Sequence, residues 1–351
     1  MDRKLATFRK IKEILPIEGA DNICIAKIDG WQCVVKKGEY LAGKFVIYCE
    51  VDSFLPIRPE FEFLRKSCYK KMQDGTEGFR IRTIKLRNTL SQGIAFPTSL
   101  YSMFSQTHEE LGDEIVGMDI SDELGIVKYE PPIPAELSGV VKGIFPSFCP
   151  RSDEERIQNL PWIFEKYKGR IFYVTEKING TSFSGFLNNG IFGVCGRNYE
   201  YEESATNTYW RVTRELKIEE KLKKLNKDIA IQGELIGEGI HGNPYKIKGH
   251  TIKFFSAYDI SERKYFNSNE LIILLRELEL DMVPVIASEF FLENTVEWLL
   301  EYANGMSKLN SSKKREGLVF RSIIDEKVNE IPTGHLSFKV ISNEYILENE
   351  K

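Results

Sequence analysis

The run from Tyr173 to Phe186, YVTEKINGTSFSGF, sets Glu176-Lys177 between a strand-like stretch of aromatic and β-branched residues and a break at Asn179-Gly180. A lysine at a strand end is ordinary surface punctuation, but one presented on a tight turn can also attack a phosphate. That chemistry has a requirement. A free lysine has a pKa of about 10.4, so only about one in a thousand is neutral near pH 7.4, a handicap of about 4 kcal/mol. Nearby cations or loss of solvent must lower that value. A divalent metal bound by carboxylates does so while neutralising triphosphate charge and orienting the leaving pyrophosphate. Groups suited to such an attack follow in order. Arg197 comes after the strand in VCGRNYE, Glu234 closes the strand in IAIQGELIG, Phe255 lies in KFFSAYDI, Glu316 opens EGLVF and Lys339 sits within SFKVIS. Singly, each has a plainer reading as a surface charge, a strand-end cap or a core aromatic; the order and spacing of the set make the case.

Three other patterns do not hold up. GEYLAGK (38–44) matches GxxxxGK, but Phe45 replaces the hydroxyl residue that should hold magnesium and a strand, FVIY, follows in place of a helix. GEGIHG (237–242) matches GxGxxG after a strand, but Asn243-Pro244 follows where a helix should open, so it reads as a flexible loop. The histidines (His108, His241, His250, His335) form no HxxxH pair and suggest no metal cage.

The elements that must position these groups fall into two parts, as 351 residues lead one to expect. From Leu5 to about Met103 the chain reads as short strands: NICIAKI, WQCVVKK, KFVIYCEV, GFRIRTIKL and QGIAFPTSL. That pattern predicts an all-β OB-like N-terminal barrel. Within RIRTIKLR, period-two alternation puts Arg80 and Arg82 on one outward face, and with Lys85 and Arg87 they form a candidate phosphate-facing surface. The formal charge of −4 does not look like that of a nucleic-acid binder, but a whole-chain sum hides such a patch. Five of the 13 prolines crowd YEPPIPAELSGVVKGIFPSFCPRSDEE (129–155), which marks a boundary near residue 140. In SDEERIQNLPWIF a short helix is expected with Ser152 as its N-cap. The second half mixes strands with helical spacing around ATNTYWRVTRELKIEEKLKKL, SNELIILLRELEL and NTVEWLLEYANG, the last capped by Asn294, and predicts an α+β domain. The resulting division is a nucleic-acid-binding module over 1–135, a Pro-rich linker over 136–150 and a second domain over 151–351. No apolar run approaches a membrane span, the N-terminus lacks a signal-peptide stretch, and the six scattered cysteines form no CxxC pair. An intracellular chain, cytoplasmic or nuclear and not secreted, is expected.

As a set, EKING, CGRN, IQGELIG, FFSAYDI, EGLVF and SFKVIS resemble the successive motifs of the covalent nucleotidyltransferases, the polynucleotide ligases and mRNA capping enzymes, over about residues 150 to 345. EKINGTSFSGF is close to the EKIHGTNF form of phage RNA ligase 2. The β module ahead of the motifs, with EERIQN before the lysine, resembles the RNA ligase 5 family. DNA ligases and capping enzymes place an OB domain after the fifth motif, where here only about ten residues follow. The resemblance implies an ATP-dependent RNA ligase: an α+β covalent nucleotidyltransferase domain behind an OB module, with ATP as AMP donor and Mg2+ or Mn2+. Its partner would be RNA or an RNA-containing nicked duplex; no feature marks an oligomeric partner. Lys177 matches the lysine that takes AMP. Arg197 and Glu234 match the positions that hold the ribose and terminal nucleotide, Phe255 the ring stacked on adenine, and Glu316 the carboxylate that supports the metal through its waters. Lys339 matches an α-phosphate contact, Arg156 a β- and γ-phosphate contact, and Glu176 and Asn179 fall in the same nucleotide-binding motif. The family motif usually has Asp where this chain has Asn179, which can still accept a bond from metal-bound water but adds no charge. Ile341 occupies the position of a second lysine common in the fifth motif. Two other readings stay open on the residues alone: an RNA-binding protein that has lost catalysis, which Asn179 favours, and a capping-type nucleotidyltransferase.

Overall fold

The computed structural model describes residues 3–72, 74–101, 112–130, 139–324 and 326–349. The chain divides into two compact units, one of residues up to Pro132 joined by the last residues from Ile346, the other of Ile133–Tyr345. Every ladder between named strands among the described residues is antiparallel.

In the N-terminal unit the alternation is legible strand by strand. Ile23–Ile28 and Trp31–Lys36 bury every second residue, Cys24, Ala26 and Ile28 against Trp31, Cys33 and Val35. Asp29-Gly30 turns between them, with Asp29 at a φ of 52°. Ala6–Lys10, Phe45–Cys49 and Ile94–Phe96 form one sheet, and Ser53–Pro56 and Glu77–Arg80 lie centrally in another.

GFRIRTIKL is not one strand. After Glu77–Arg80 the Ile81 amide bonds the Ser53 carbonyl and the Ile81 carbonyl accepts from Asp52, so the chain is tied back there before a separate hairpin, Ile84–Leu86 with Thr89–Ser91, begins. Ile81 is buried between a half-buried Arg80 and an exposed Arg82, as the alternation predicts, but the strand itself ends at Arg80. Arg80 is committed to Asp52 at 2.7 Å and lies over the Tyr129 ring, whereas Arg82, Lys85 and Arg87 are exposed. Arg87 and Asn88 both take left-handed φ values, which closes the hairpin in two residues.

In the second unit a seven-stranded sheet runs in the order Val141–Ile144, Tyr199–Tyr201, Ile191–Cys195, Thr181–Asn188, Ile229–Gly237, His250–Asp259, Lys264–Tyr265. Its first strand falls in the stretch read as linker, whose residues 136–138 lie outside the described ones. A four-stranded sheet runs Val285–Phe291, Ile171–Lys177, Gly317–Ser322, Ser337–Ile341. Helices Thr208–Glu215, Ile218–Lys224 and Ser268–Glu277 bury apolar faces on Phe183, Ile231 and Phe254 of the larger sheet. Helix Val296–Tyr302 packs Leu299 on Phe172 and Phe320 of the smaller one.

Local chemistry sets the helix ends. Asn267 and Glu270 form a reciprocal capping box. The cap before Trp298 is Thr295, one residue beyond the expected Asn294, because its hydroxyl accepts the Trp298 amide. Ser152 caps no helix: residues 151–155 are irregular, Ser152 meets the Ser182 hydroxyl at 3.1 Å, and the first helical turn starts at Ile157. Residues of both sheets, Tyr173, Thr175 and Arg321 with Phe255 and Ser256, line a common cleft.

Candidate active site

Lys177 ends its strand in the small sheet, and Thr181 begins the next strand in the large one, so Ile178, Asn179 and Gly180 carry the chain between sheets. This answers why the strand breaks at Asn179-Gly180. A Cβ at Gly180 would lie 2.5 Å from the Leu235 carbonyl oxygen and 2.8 Å from Glu234 Cγ, so only glycine passes. The Gly180 amide donates to Glu234 Oε1 at 3.1 Å, which fixes that carboxylate beside the turn. Register does the rest. Lys177 pairs with Gly317, which places Glu316 at the strand mouth, and its Oε1 accepts from Lys177 Nζ at 2.8 Å.

Three carboxylates, of Glu316, Glu234 and Asp153, act on Lys177. Burial alone would lower the lysine's pKa, but these carboxylates together hold it above the ordinary value. The lysine is thus a cation among its own protein's groups, opposite to what nucleophilic attack needs. A divalent cation drawn to the same carboxylates reverses the sign of the local field. The donors fit such an ion. They are oxygens, and among the described residues no group of three His, Cys, Asp or Glu side chains forms a closed cage. Hydrated Mg2+ or Mn2+ shared with phosphates takes one or two carboxylates rather than a full protein shell.

Glu234 is pushed up to about 7, chiefly by burial, opposed by Lys177 and reinforced by Glu316. Its folded pKa lies above the unfolded value of 4.5, so the folded state holds a proton that the unfolded chain has released. Stability from this group is therefore greatest below about pH 4.5 and falls as the pH rises toward about 7. Glu234→Gln is expected to flatten that slope and gain on the order of 2 kcal/mol at pH 8 relative to wild type. Urea unfolding of both proteins at pH 5, 6, 7 and 8 measures it; parallel curves across the series would refute it.

The remaining candidates take definite places. Phe255, on the strand His250–Asp259, packs with Ile178, Ile236 and Val283, and the Arg321 guanidinium lies 5.1 Å from its ring centroid. Arg321 in turn pairs with buried Glu154 at 2.9 Å. Val319 pairs with Thr175 on one side and Lys339 on the other, and Lys339 bridges to Arg156 through the backbone, its amide bonding the Glu155 carbonyl at 2.7 Å. Arg197 pairs with Asp153 at 3.0 Å. Glu176 is not gathered with the carboxylates around Lys177. As the preceding residue of one strand it leaves the opposite face, where it is buried and accepts the Lys308 amide at 2.8 Å, and burial raises its pKa.

Asn179 is held on three sides. Its backbone amide donates to Tyr245 Oη at 2.6 Å, its Nδ2 to Tyr345 Oη at 2.8 Å, and its Oδ1 meets His241 Nδ1 at 2.6 Å. Loss of solvent around the ring lowers the pKa of His241, Glu316 opposing and Lys177 assisting. Asp153, His241, Tyr245, Tyr345 and Arg321 were not legible as site residues. For His241 and Tyr245 a signal was GEGIHGNPY itself, whose dense glycines mark a shaped loop as readily as a loose one.

Comparison with known proteins agrees with this geometry. A family model described as an OB-fold domain matches residues 5–98, and the RNA ligase family model matches residues 170–341. No curated protein matches in sequence. Among solved structures, the Naegleria gruberi RNA ligase with pyrophosphate superposes with a TM-score of 0.86 at 40% identity over 99% of both chains. The same figures hold for a lysine-to-methionine variant of that ligase with AMP and manganese and for a lysine-to-alanine variant with ATP and manganese. With an OB-fold domain ahead of a two-sheet nucleotidyltransferase domain, this chain belongs to the RNA ligase family and is a ligase.

Proposed function

We propose that the chain seals breaks carrying a 3′-OH and a 5′-phosphate in RNA or RNA-containing duplexes, using ATP. The observation that carries this is the placement of Lys177 at the junction of two sheets, paired with Glu316 at 2.8 Å and facing Glu234. Lys177 gives up a proton and its Nζ attacks the α-phosphorus of ATP, breaking the bond to the β-phosphate oxygen and releasing pyrophosphate. A 5′-phosphate oxygen then displaces Nζ from that phosphorus and leaves the strand capped with AMP. Finally the 3′-OH attacks the 5′-phosphorus and expels AMP. A bound divalent cation supplies charge neutralisation when present. Glu316 and Asn179 would hold it through its waters, and Phe255 stacks on adenine. Arg197 and Glu234 hold the ribose and terminal nucleotide, Lys339 contacts the α-phosphate and Arg156 the β- and γ-phosphates. Arg197 must leave Asp153 to reach the ribose, an exchange between exposed partners that costs little.

The test is incubation with α-labelled ATP and Mg2+ or Mn2+, then denaturing electrophoresis, then nicked duplexes with RNA on either side of the break. Label retained on the chain and a sealed strand are expected. No label with either metal, from folded protein free of bound AMP, would leave an RNA-binding protein as the better reading.

The N-terminal module is proposed to grip the duplex backbone through phosphate contacts, which add affinity without reading sequence. Since Arg80 is occupied by Asp52 and Tyr129, Arg82 and the hairpin cations Lys85 and Arg87 carry that task. Replacing Arg82, Lys85 and Arg87 together by alanine should leave label transfer unchanged. It should also reduce the slope of log affinity against log salt by up to about 3 on a nicked duplex. An unchanged slope would rule the hairpin out.

A further inference from the structure

Residues 238–249 join two adjacent antiparallel strands whose last pair is Gly237 with His250, a gap that two residues can close. The longer connection is shaped, not slack. Gly239, His241, Gly242, Asn243, Lys246 and Gly249 all take positive φ between 45° and 77°. Asn243 Nδ2 bonds the Ile247 carbonyl while its Oδ1 accepts the Ile247 amide, and Asn310 Nδ2 bonds the Pro244 carbonyl at 2.8 Å. Tyr245 and Ile240 are buried. The flexible loop expected from the sequence is thus pinned, and its tip delivers a histidine in the left-handed region, where β-carbon side chains are strained.

That histidine meets Asn179. Tyr345 takes up the carboxamide nitrogen, so the oxygen faces the ring, and an amide oxygen only accepts. The 2.6 Å contact therefore needs a proton on Nδ1, and of the two single-proton tautomers it selects the one that leaves Nε2 an acceptor. An aspartate at position 179 would offer two charged acceptors; Asn179 offers one, already engaged.

We propose that His241 is a positioning residue that shares with Asn179 the part an aspartate plays elsewhere in this family. Its Nδ1–H fixes the carboxamide, and its Nε2 accepts a hydrogen bond from a water of the divalent cation. This rests on the ATP- and cation-dependent reading above. Groups holding a metal's ligands from outside typically change affinity about 10- to 100-fold when removed.

The test uses the full chain in its lysyl-AMP form, freed of pyrophosphate and confirmed by mass, with Mn2+ binding followed by the electron paramagnetic resonance of the free ion. In His241→Gly, where glycine suits the left-handed backbone, the melting temperature should hold or rise while Mn2+ binds about tenfold more weakly. Asn179→Asp/His241→Gly should recover affinity to within about twofold of wild type. Unchanged Mn2+ affinity in His241→Gly overturns the proposal, and so does a loss that Asp at 179 does not recover, which would reduce His241 to loop packing. A wild-type chain that forms no lysyl-AMP sinks the ligase reading and this inference with it, and the mass measurement separates that outcome from the others.

Discussion

Lys177→Ala is expected to keep no label from α-labelled ATP and to seal nicked duplexes at least about 10,000-fold more slowly than wild type, because the group proposed to form the covalent bond is gone. The same variant should still join a strand whose 5′ end already carries AMP, since that step makes and breaks no bond to Nζ. The fold should respond too. Without the ammonium, Glu316, Glu234 and Asp153 lose a cation that all three act upon, so the variant should melt lower at pH 8 than at pH 6. Label on another residue of Lys177→Ala would move the nucleophile elsewhere, and inability to join the pre-adenylylated strand would mean that the lysine also serves the last step.

Gly180→Ala should be the most destructive small change in the site. The added carbon would sit 2.5 Å from the Leu235 carbonyl oxygen and 2.6 Å from Ile236 Cγ2, both on the neighbouring strand, and backbone at that distance cannot yield without opening the ladder between Thr181–Asn188 and Ile229–Gly237. A loss of about 3 kcal/mol is expected from overpacking together with disturbance of the Gly180–Glu234 hydrogen bond. Gly143→Ala serves as the control, since its Cβ would meet nothing within 4 Å. Urea midpoints of the two variants decide the matter: Gly180→Ala as stable as Gly143→Ala would show that the turn is not packed as described.

Much of this site's placement could be read in advance because its groups lie on or beside strands, where alternation and the order of short motifs constrain position, although Glu234, expected to close its strand, lies inside Ile229–Gly237. Lys177, Glu234 and Glu316 converge as the sequence suggested, through pairings between strands far apart along the chain. What escaped depends on irregular backbone. His241 and Tyr245 reach Asn179 through a run of left-handed residues whose path no periodicity encodes. Period two places Ile81 inward and Arg80 and Arg82 outward, but that Arg80 is held by Asp52 and Tyr129 is a long-range fact invisible in RIRTIKLR. The lysine's raised pKa was missed for a different reason: a motif names the groups around a site but not the sum of their fields.

The order of strands in the small sheet has a consequence for synthesis. Ile171–Lys177 is flanked by Val285–Phe291 and Gly317–Ser322, with Ser337–Ile341 beyond, so its partners are translated only after the whole large sheet. At roughly 5–20 residues per second the lysine waits about 7–30 seconds on a ribosome before its carboxylate partner and the strand behind it exist. On the proposed reaction, a chain that ends before Glu316 would carry Lys177 without its 2.8 Å carboxylate partner, and would be expected not to take up AMP.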